Sequence, residues 1–218
     1  MNNNVISILV LAGIAIFLIL KLRSVLGSRE GFEKPPLPPS ANPGRRAQLE
    51  VIEGGVDRDI VDHVPEGSDS ARALAAMKKV EPSFTVAEFL SGARAAYEMI
   101  LMAFERGTLE EVRPFMSPEV YEVLEEVVAA RNARGLTVTA EFLGIREVTL
   151  LRAEFDPQTR DAELTVRFTA ELISAARNAA GEVIEGDPKK PRRQRDVWTF
   201  ARKMGSPDPN WLLVATGE

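Results

Sequence analysis

The apolar period of this chain switches from helical to extended at Gly135, and that switch restricts its fold more than any motif it carries. Upstream, Thr85 and Glu88 have the spacing of a capping box, and Phe84 and Phe89 that of a hydrophobic staple. They predict a helix from about Val86 to Arg106, buried along Phe89, Ala93, Ala96, Tyr97, Ile100 and Phe104 and closed by Gly107. A second capping-box spacing, Thr108 to Glu111, predicts one or two turns ending near Pro114. Ser117-Pro118-Glu119 then supplies an N-cap with proline at the first helical position, for a helix reaching Arg134. Ahead of these, Ser70 to Val80 reads as a short helix with Leu74, Met77 and the alanines on one face, expected to dock on the domain, the alternative being an anionic membrane surface.

Downstream, Leu164, Val166, Phe168, Ala170 and Leu172 alternate with Glu163, Thr165, Arg167, Thr169 and Glu171, the pattern of a strand with one wet face. Shorter runs occupy Val138 to Leu143, Val148 to Phe155, Val197 to Arg202 and Trp211 to Ala215. Turn residues at Asp156 to Thr159, Asn178 to Gly181 and Gly205 to Asn210 separate several of them. Helices followed by antiparallel strands indicate an α+β fold, a curved sheet packed on a helical layer.

The N-terminus obeys a different rule. Val5 to Leu20 is sixteen residues without a charge, and Leu22 extends the run past Lys21. As a helix, Val5 to Leu22 rises roughly 27 Å, close to the hydrocarbon thickness of a bilayer, with Lys21 able to snorkel. Val5, Ile8, Leu11, Ile14, Phe17 and Leu20 form its apolar body. A signal peptide would carry positive charge before the run, whereas this chain begins Met-Asn-Asn-Asn. Lys21, Arg23, Arg29 and Lys34 all follow it, so the positive-inside rule puts the N-terminus outside and the remainder in the cytoplasm, most simply at a bacterial inner membrane. Five prolines between Pro35 and Pro43 make the next segment a semi-rigid spacer, and Gln48 to Ser70 reads as an irregular tether. The expected organisation is an anchor over 1–23, spacer and tether over 24–69, and a domain over 70–218.

Composition narrows the chemistry. With no cysteine and one histidine, His63, placed in the tether, thiolate metal sites, disulfides, cysteine nucleophiles and histidine-based triads are excluded or hard to build. The adjacent carboxylates Glu110-Glu111 and Glu125-Glu126 sit ~100° apart around a helix and make no acid/base pair. No cofactor motif is present, and the chain reads as a binding protein, not an enzyme. A net charge of -5 repels nucleic acid, leaving only a local basic patch to engage RNA such as that of a ribosome. That patch is Lys189, Lys190, Arg192, Arg193 and Arg195, read as a loop between two strands that faces anionic lipid, an acidic partner, RNA or only water. Trp198, Phe200 and Trp211 are candidate lining for an apolar cavity, or core packing.

Taken together, F-T-V-A-E-F-L-S-G-A-R-A-A-Y from Phe84, I-L-M-A-F-E-R-G from Ile100, R-P-F-M-S-P-E-V-Y from Arg113, D-V-W-T-F-A-R from Asp196 and P-N-W-L-L-V-A-T-G-E from Pro209 resemble the Tim-forty-four-like domain. The order of anchor, proline-rich spacer and domain resembles the family's bacterial TimA branch of inner-membrane adaptors. The resemblance implies a cone of the nuclear-transport-factor-like class, in which a curved antiparallel sheet wraps helices around an apolar cavity. It also implies protein partners and lipid at the inner membrane, in protein translocation or membrane-protein assembly. The mitochondrial relative recruits a DnaK-class chaperone through a long N-terminal segment, and this chain lacks a segment of that length, which removes the basis for chaperone recruitment. A mitochondrial ribosomal protein shares the domain, so ribosome tethering through the basic patch is the alternative; folds of this class also host cavity enzymes. Replacing Leu11 by Arg, at roughly 2.5–3.5 kcal/mol of insertion free energy near a helix centre, is expected to move the protein from the carbonate-resistant membrane fraction to the soluble one.

Overall fold

The computed structural model describes residues 57–217, so the anchor and the proline-rich spacer lie outside the described residues. Among the described residues no helix is long and apolar enough to cross a membrane. The chain runs through α1 (Arg58–Val61), α2 (Asp69–Val80), α3 (Val86–Arg106), a 3-10 turn (Leu109–Phe115) and α4 (Pro118–Ala133). Four strands follow, β1 (Thr137–Phe155), β2 (Asp161–Arg177), β3 (Val183–Lys203) and β4 (Leu212–Gly217), paired antiparallel in chain order. The α+β expectation and its curved antiparallel sheet therefore hold.

Helix boundaries follow their caps. Thr85 Oγ1 accepts the Glu88 amide at 3.1 Å, and Ser117 Oγ accepts that of Val120 at 3.3 Å. Gly107 adopts a left-handed φ of 77° that ends α3. Thr108, however, makes no side-chain cap, and its segment tightens into the 3-10 turn with Pro114 inside it. The tether reading also needs correction from Asp57 onward. Ile60 and Val64 are buried in the core, and the Asp59 carboxylate accepts the Val86 and Ala87 amides at 2.8 and 3.0 Å. Those are orphan donors at the start of α3, so a residue 27 positions away finishes what Thr85 begins. Lys78 Nζ bridges Asp57 and Asp59 at 2.8 and 2.7 Å and ties α2 to the same point.

The two runs read as separate strands between Val138 and Phe155 are one strand, β1, bent at three bulges where Leu143, Arg146 and Leu151 have no opposite residue on β2. Each bulge increases twist and bends the strand, and together they curve the sheet over the helices. β2 lies between β1 and β3, and Leu164, Val166, Phe168, Ala170 and Leu172 are fully buried. Leu164, Val166, Phe168 and Ala170 share one core with Leu74 and Met77 of α2 and Val86, Phe89 and Tyr97 of α3. Each Leu, Val or Phe side chain among them contributes about 1.5–3 kcal/mol through removal from water.

A charged tie closes the end of α2. Arg202 on β3 donates to Glu81 at 2.6 Å, the Gly205 amide donates to the same oxygen at 2.9 Å, and the Arg202 guanidinium lies 5.2 Å from the Trp211 ring centre. The hydrogen bond from Arg202 holds the Glu81 carboxyl below its ordinary value of 4.5, against the opposing effect of burial. A lowered folded-state value means stability that is present above pH 4.5 and lost as pH falls through the lowered value. Glu81→Gln is expected to reduce unfolding free energy by about 1–3 kcal/mol at neutral pH. Urea unfolding should show the gap from wild type closing in acid.

Candidate functional site

β3 carries the chemistry, because its inner face changes character along its length. Successive inward positions are Arg192, Gln194, Asp196, Trp198 and Phe200, opposite Leu172, Ala170, Phe168, Val166 and Leu164 of β2. The aromatic end is packed solid. Trp198 and Phe200 are 6% and 2% exposed, with Trp198 4.7 Å from the ring of Tyr97 and Phe200 5.9 Å edge-on to Phe89. Trp211 is half-buried and stands edge-on to Phe89 at 4.9 Å. All three candidate cavity residues thus sit in the interlock between sheet and helices. Two surface grooves lie elsewhere, one against Met99, Met102 and Arg106 of α3, the other between the 3-10 turn and α4 around Arg113, Tyr121 and Glu125.

The polar end of that face meets α3 in two linked groups. Tyr97, stacked on Phe168 at 4.4 Å, donates its hydroxyl to Asp196 Oδ2 at 2.5 Å, and Gln194 Nε2 donates to both Asp196 oxygens at 3.2 and 3.0 Å. In the last turn of α3, Glu105 is 7% exposed and accepts from Ser174 Oγ at 2.8 Å and from Arg192 Nη2 at 3.4 Å. A buried carboxylate without such donors would be strongly destabilising. Arg192 therefore spends part of its charge holding the end of α3 and keeps about half of its side chain, 51%, in solvent.

The basic cluster does not form the hairpin loop that its composition suggested. That loop is the Asn178–Glu182 turn, where Asn178 Oδ1 accepts the Ala180 and Glu182 amides. The cluster lies inside β3. Register runs unbroken from Asp161 opposite Lys203 to Leu172 opposite Arg192, then resumes with Ser174 opposite Asp187. Four residues, Pro188-Lys189-Lys190-Pro191, thus oppose the single residue Ile173. Neither proline has an N–H to give a ladder, so both lysines are carried out on a wide bulge. Gly186, at φ 73°, permits the close approach just before it, since a Cβ there would lie 2.1 Å from the Ser174 carbonyl oxygen. Beyond the bulge the arginines alternate: Arg192 points to the helices, while Arg193 and Arg195 point to the outer face. Arg193 pairs with Glu171 at 3.5 Å, a carboxylate that Arg146 also engages at 2.6 Å. The five charges are thus divided among a bulge and two faces.

His63 lies half-exposed in the turn after α1. The residues that sequence reasoning passed over are Glu105, Asp196, Gln194 and Ser174. Glu105 alone left a trace, as a charge eight residues beyond Tyr97 on the buried helix face.

Both tyrosines of the chain donate to carboxylates. Burial and then Asp196 raise the Tyr97 hydroxyl far above its ordinary value, and the hydrogen bond to Glu110, followed by burial and Glu125, pushes Tyr121 up to about 12. A raised folded-state value contributes stability that is present below the ordinary tyrosine value of 10.0 and lost as pH rises through the raised one. Ultraviolet titration of the folded protein should show no phenolate at pH 10, and Tyr97→Phe should lower unfolding free energy by about 1–3 kcal/mol.

The family profile described as the Tim44-like domain matches residues 70–218. The human mitochondrial import inner membrane translocase subunit TIM44 is 26% identical over 159 residues, 72% of this chain and 35% of that protein. The probable mitochondrial import inner membrane translocase subunit tin-44 of Caenorhabditis elegans is 25% identical over 151 residues, 67% of this chain and 35% of that protein. The chain thus matches only about a third of the length of these relatives. The intermembrane space region of the chloroplast protein ARC6 aligns over 69% of this chain and 95% of that one at 11% identity, with a TM-score of 0.37, too slight a likeness to carry an argument.

Proposed function

We propose that this chain, which belongs to the Tim44-like domain family, is a membrane-tethered adaptor whose domain binds proteins at the inner membrane. The observation that carries the reading is the family match over residues 70–218, which takes in the sheet, α3, α4 and all of α2 but its first residue. The two relatives are named as subunits of a mitochondrial import translocase at the inner membrane, which supports a place beside protein-transport or membrane-protein assembly machinery. The finer assignment is to the bacterial TimA branch, with the domain folded as a cone of the nuclear-transport-factor-like class. It rests on the apolar run Val5 to Leu22, the prolines that follow and the cations that flank the run. In this reading residues 1–23 anchor the protein with its N-terminus outside, the proline-rich spacer leads on from them, and the domain, into whose core Ile60 and Val64 pack, lies on the cytoplasmic face.

The role is binding, not catalysis. The acidic groups where β3 meets α3 are engaged in hydrogen bonds, Asp196 of β3 with Tyr97 and Gln194, Glu105 of α3 with Ser174 and Arg192. The surface offered to partners is the proline-bracketed bulge. Lys189 and Lys190 are exposed there, and each contributes ~1 kcal/mol near an anionic headgroup or a comparable acidic surface. Anchoring confines the domain to a thin layer and raises its effective concentration for other membrane proteins.

Photo-crosslinking from positions 190 and 195 of the full chain in intact cells tests this. Capture of inner-membrane transport or assembly proteins is the expected result. Capture of lipid alone, or of ribosomal components, would replace the adaptor reading with lipid docking or ribosome tethering.

A further inference from the structure

The outer edge of β1 is the long open edge of the sheet, and it is protected along only part of its length. From Leu143 onward it is broken by the three bulges, and near its end Ser70 Oγ accepts the Ala153 amide at 3.0 Å. Such interruptions are how natural sheets prevent edge pairing. Thr137 to Phe142 has none of them. It runs in unbroken register against Arg177 to Leu172, contains no proline and one charge, Glu141, and among the described residues has no backbone partner other than β2. Every second residue of a regular strand turns its N–H and C=O to the open side, so this stretch presents ladder positions with nothing opposite them. Thr137, Thr139 and Glu141 are exposed, and Val138, Ala140 and Phe142 are half-buried.

We propose that this edge pairs with the same edge of a second copy of the chain, antiparallel about a two-fold axis through Ala140. Directly opposed residues share a face of a sheet, so an axis between two residues would set an inner side chain against an outer one. An axis through Glu141 would oppose two carboxylates, and one through Thr139 would leave Phe142 facing Leu136, outside the strand. The axis through Ala140 sets Val138 against Phe142, Thr139 against Glu141 and Ala140 against itself. It uses the unbroken stretch and stops at the Leu143 bulge. This self-complementarity favours a second copy over a foreign strand. A ladder this short buries less than the ~1,200 Å² of a stable standard interface, so the pairing depends on concentration. Tethering both copies in one membrane, which rests on the proposed anchor, strengthens it.

The chain contains no cysteine, which makes the test direct. Opposed Cα atoms in an antiparallel pair lie about 4.5–5.5 Å apart, within disulfide range. Full-length Ala140→Cys, oxidised in membranes and also in detergent at rising concentration, is expected to form a covalent dimer of twice the 24.0 kDa monomer. Thr139→Cys and Glu141→Cys should join each other when the two variants are coexpressed. Thr149→Cys, in the bulged stretch, should remain monomeric. No more dimer from position 140 than from position 149, or capture of a different polypeptide in place of the second copy, overturns the proposal. Dimer in concentrated detergent without dimer in membranes would leave the edge pairing standing and tell against the anchor.

Discussion

The fold depends on the strict alternation of β2. Its inner residues from Ala162 to Leu172 have no exposure, and strands on both sides and helices above meet there. A slip of one residue would send Leu164, Val166, Phe168 and Leu172 to the outer face and bring Glu163, Arg167 and Glu171 inward. The register of β1 and β3 is therefore fixed against β2. What each gains or loses in length is absorbed in bulges, three single residues on β1, and on β3 the four-residue bulge and the single residue Ile184.

Why the bulge on β3 falls where it does follows from proline chemistry. A strand of 21 residues beside one of 17 must shed length somewhere, and Pro188 and Pro191 mark the place where ladder donors are missing. The lysines between them become exposed as a consequence of the sheet's hydrogen bonding. Asp187, whose carboxylate accepts the Lys189 amide at 2.9 Å, shapes the exit. The basic patch is thus a structural exception in a strand, presented at a fixed point relative to the core.

Local signals in the sequence were accurate wherever the physics was local. The caps Thr85 and Ser117, the stop at Gly107 and the inner face of β2 each depend on a few neighbouring residues, and each is found as read. What was illegible depends on partners far along the chain. Asp59 acquires its role only because α3 begins beside it, and the tether reading ended too late for that reason. The bulge in β3 exists only relative to Ile173, so a run of five cations among two prolines looked like a loop. Tyr97 read as one more apolar residue of a helix face, and its hydroxyl became a polar anchor only once β3 placed Asp196 at 2.5 Å. Trp198 and Phe200 were correctly seen as inward-facing, but whether they line space or fill it is decided by Tyr97 and Phe89 from another element.

α3 joins these observations into one mechanical element. Its 21 residues span roughly 32 Å. At its start the Asp59 carboxylate and Lys78 tie it to the segment that leads toward the N-terminus. At its end Glu105 ties it to Ser174 and to Arg192, immediately after the bulge. Between these ends Phe89, Ala93, Tyr97 and Ile100 are locked into the core. Apolar packing does not weaken with salt, whereas a half-exposed pair such as Glu105 with Arg192 is screened and can trade partners. An acidic surface that draws Arg192 away must leave Glu105 buried with Ser174 as its remaining donor, which is unfavourable. Binding at the bulge is thereby opposed by the end of α3 when it recruits Arg192 and unopposed when it recruits only Lys189 and Lys190. The lysines are the freely available part of the patch, and Arg192 is the part whose recruitment the core resists.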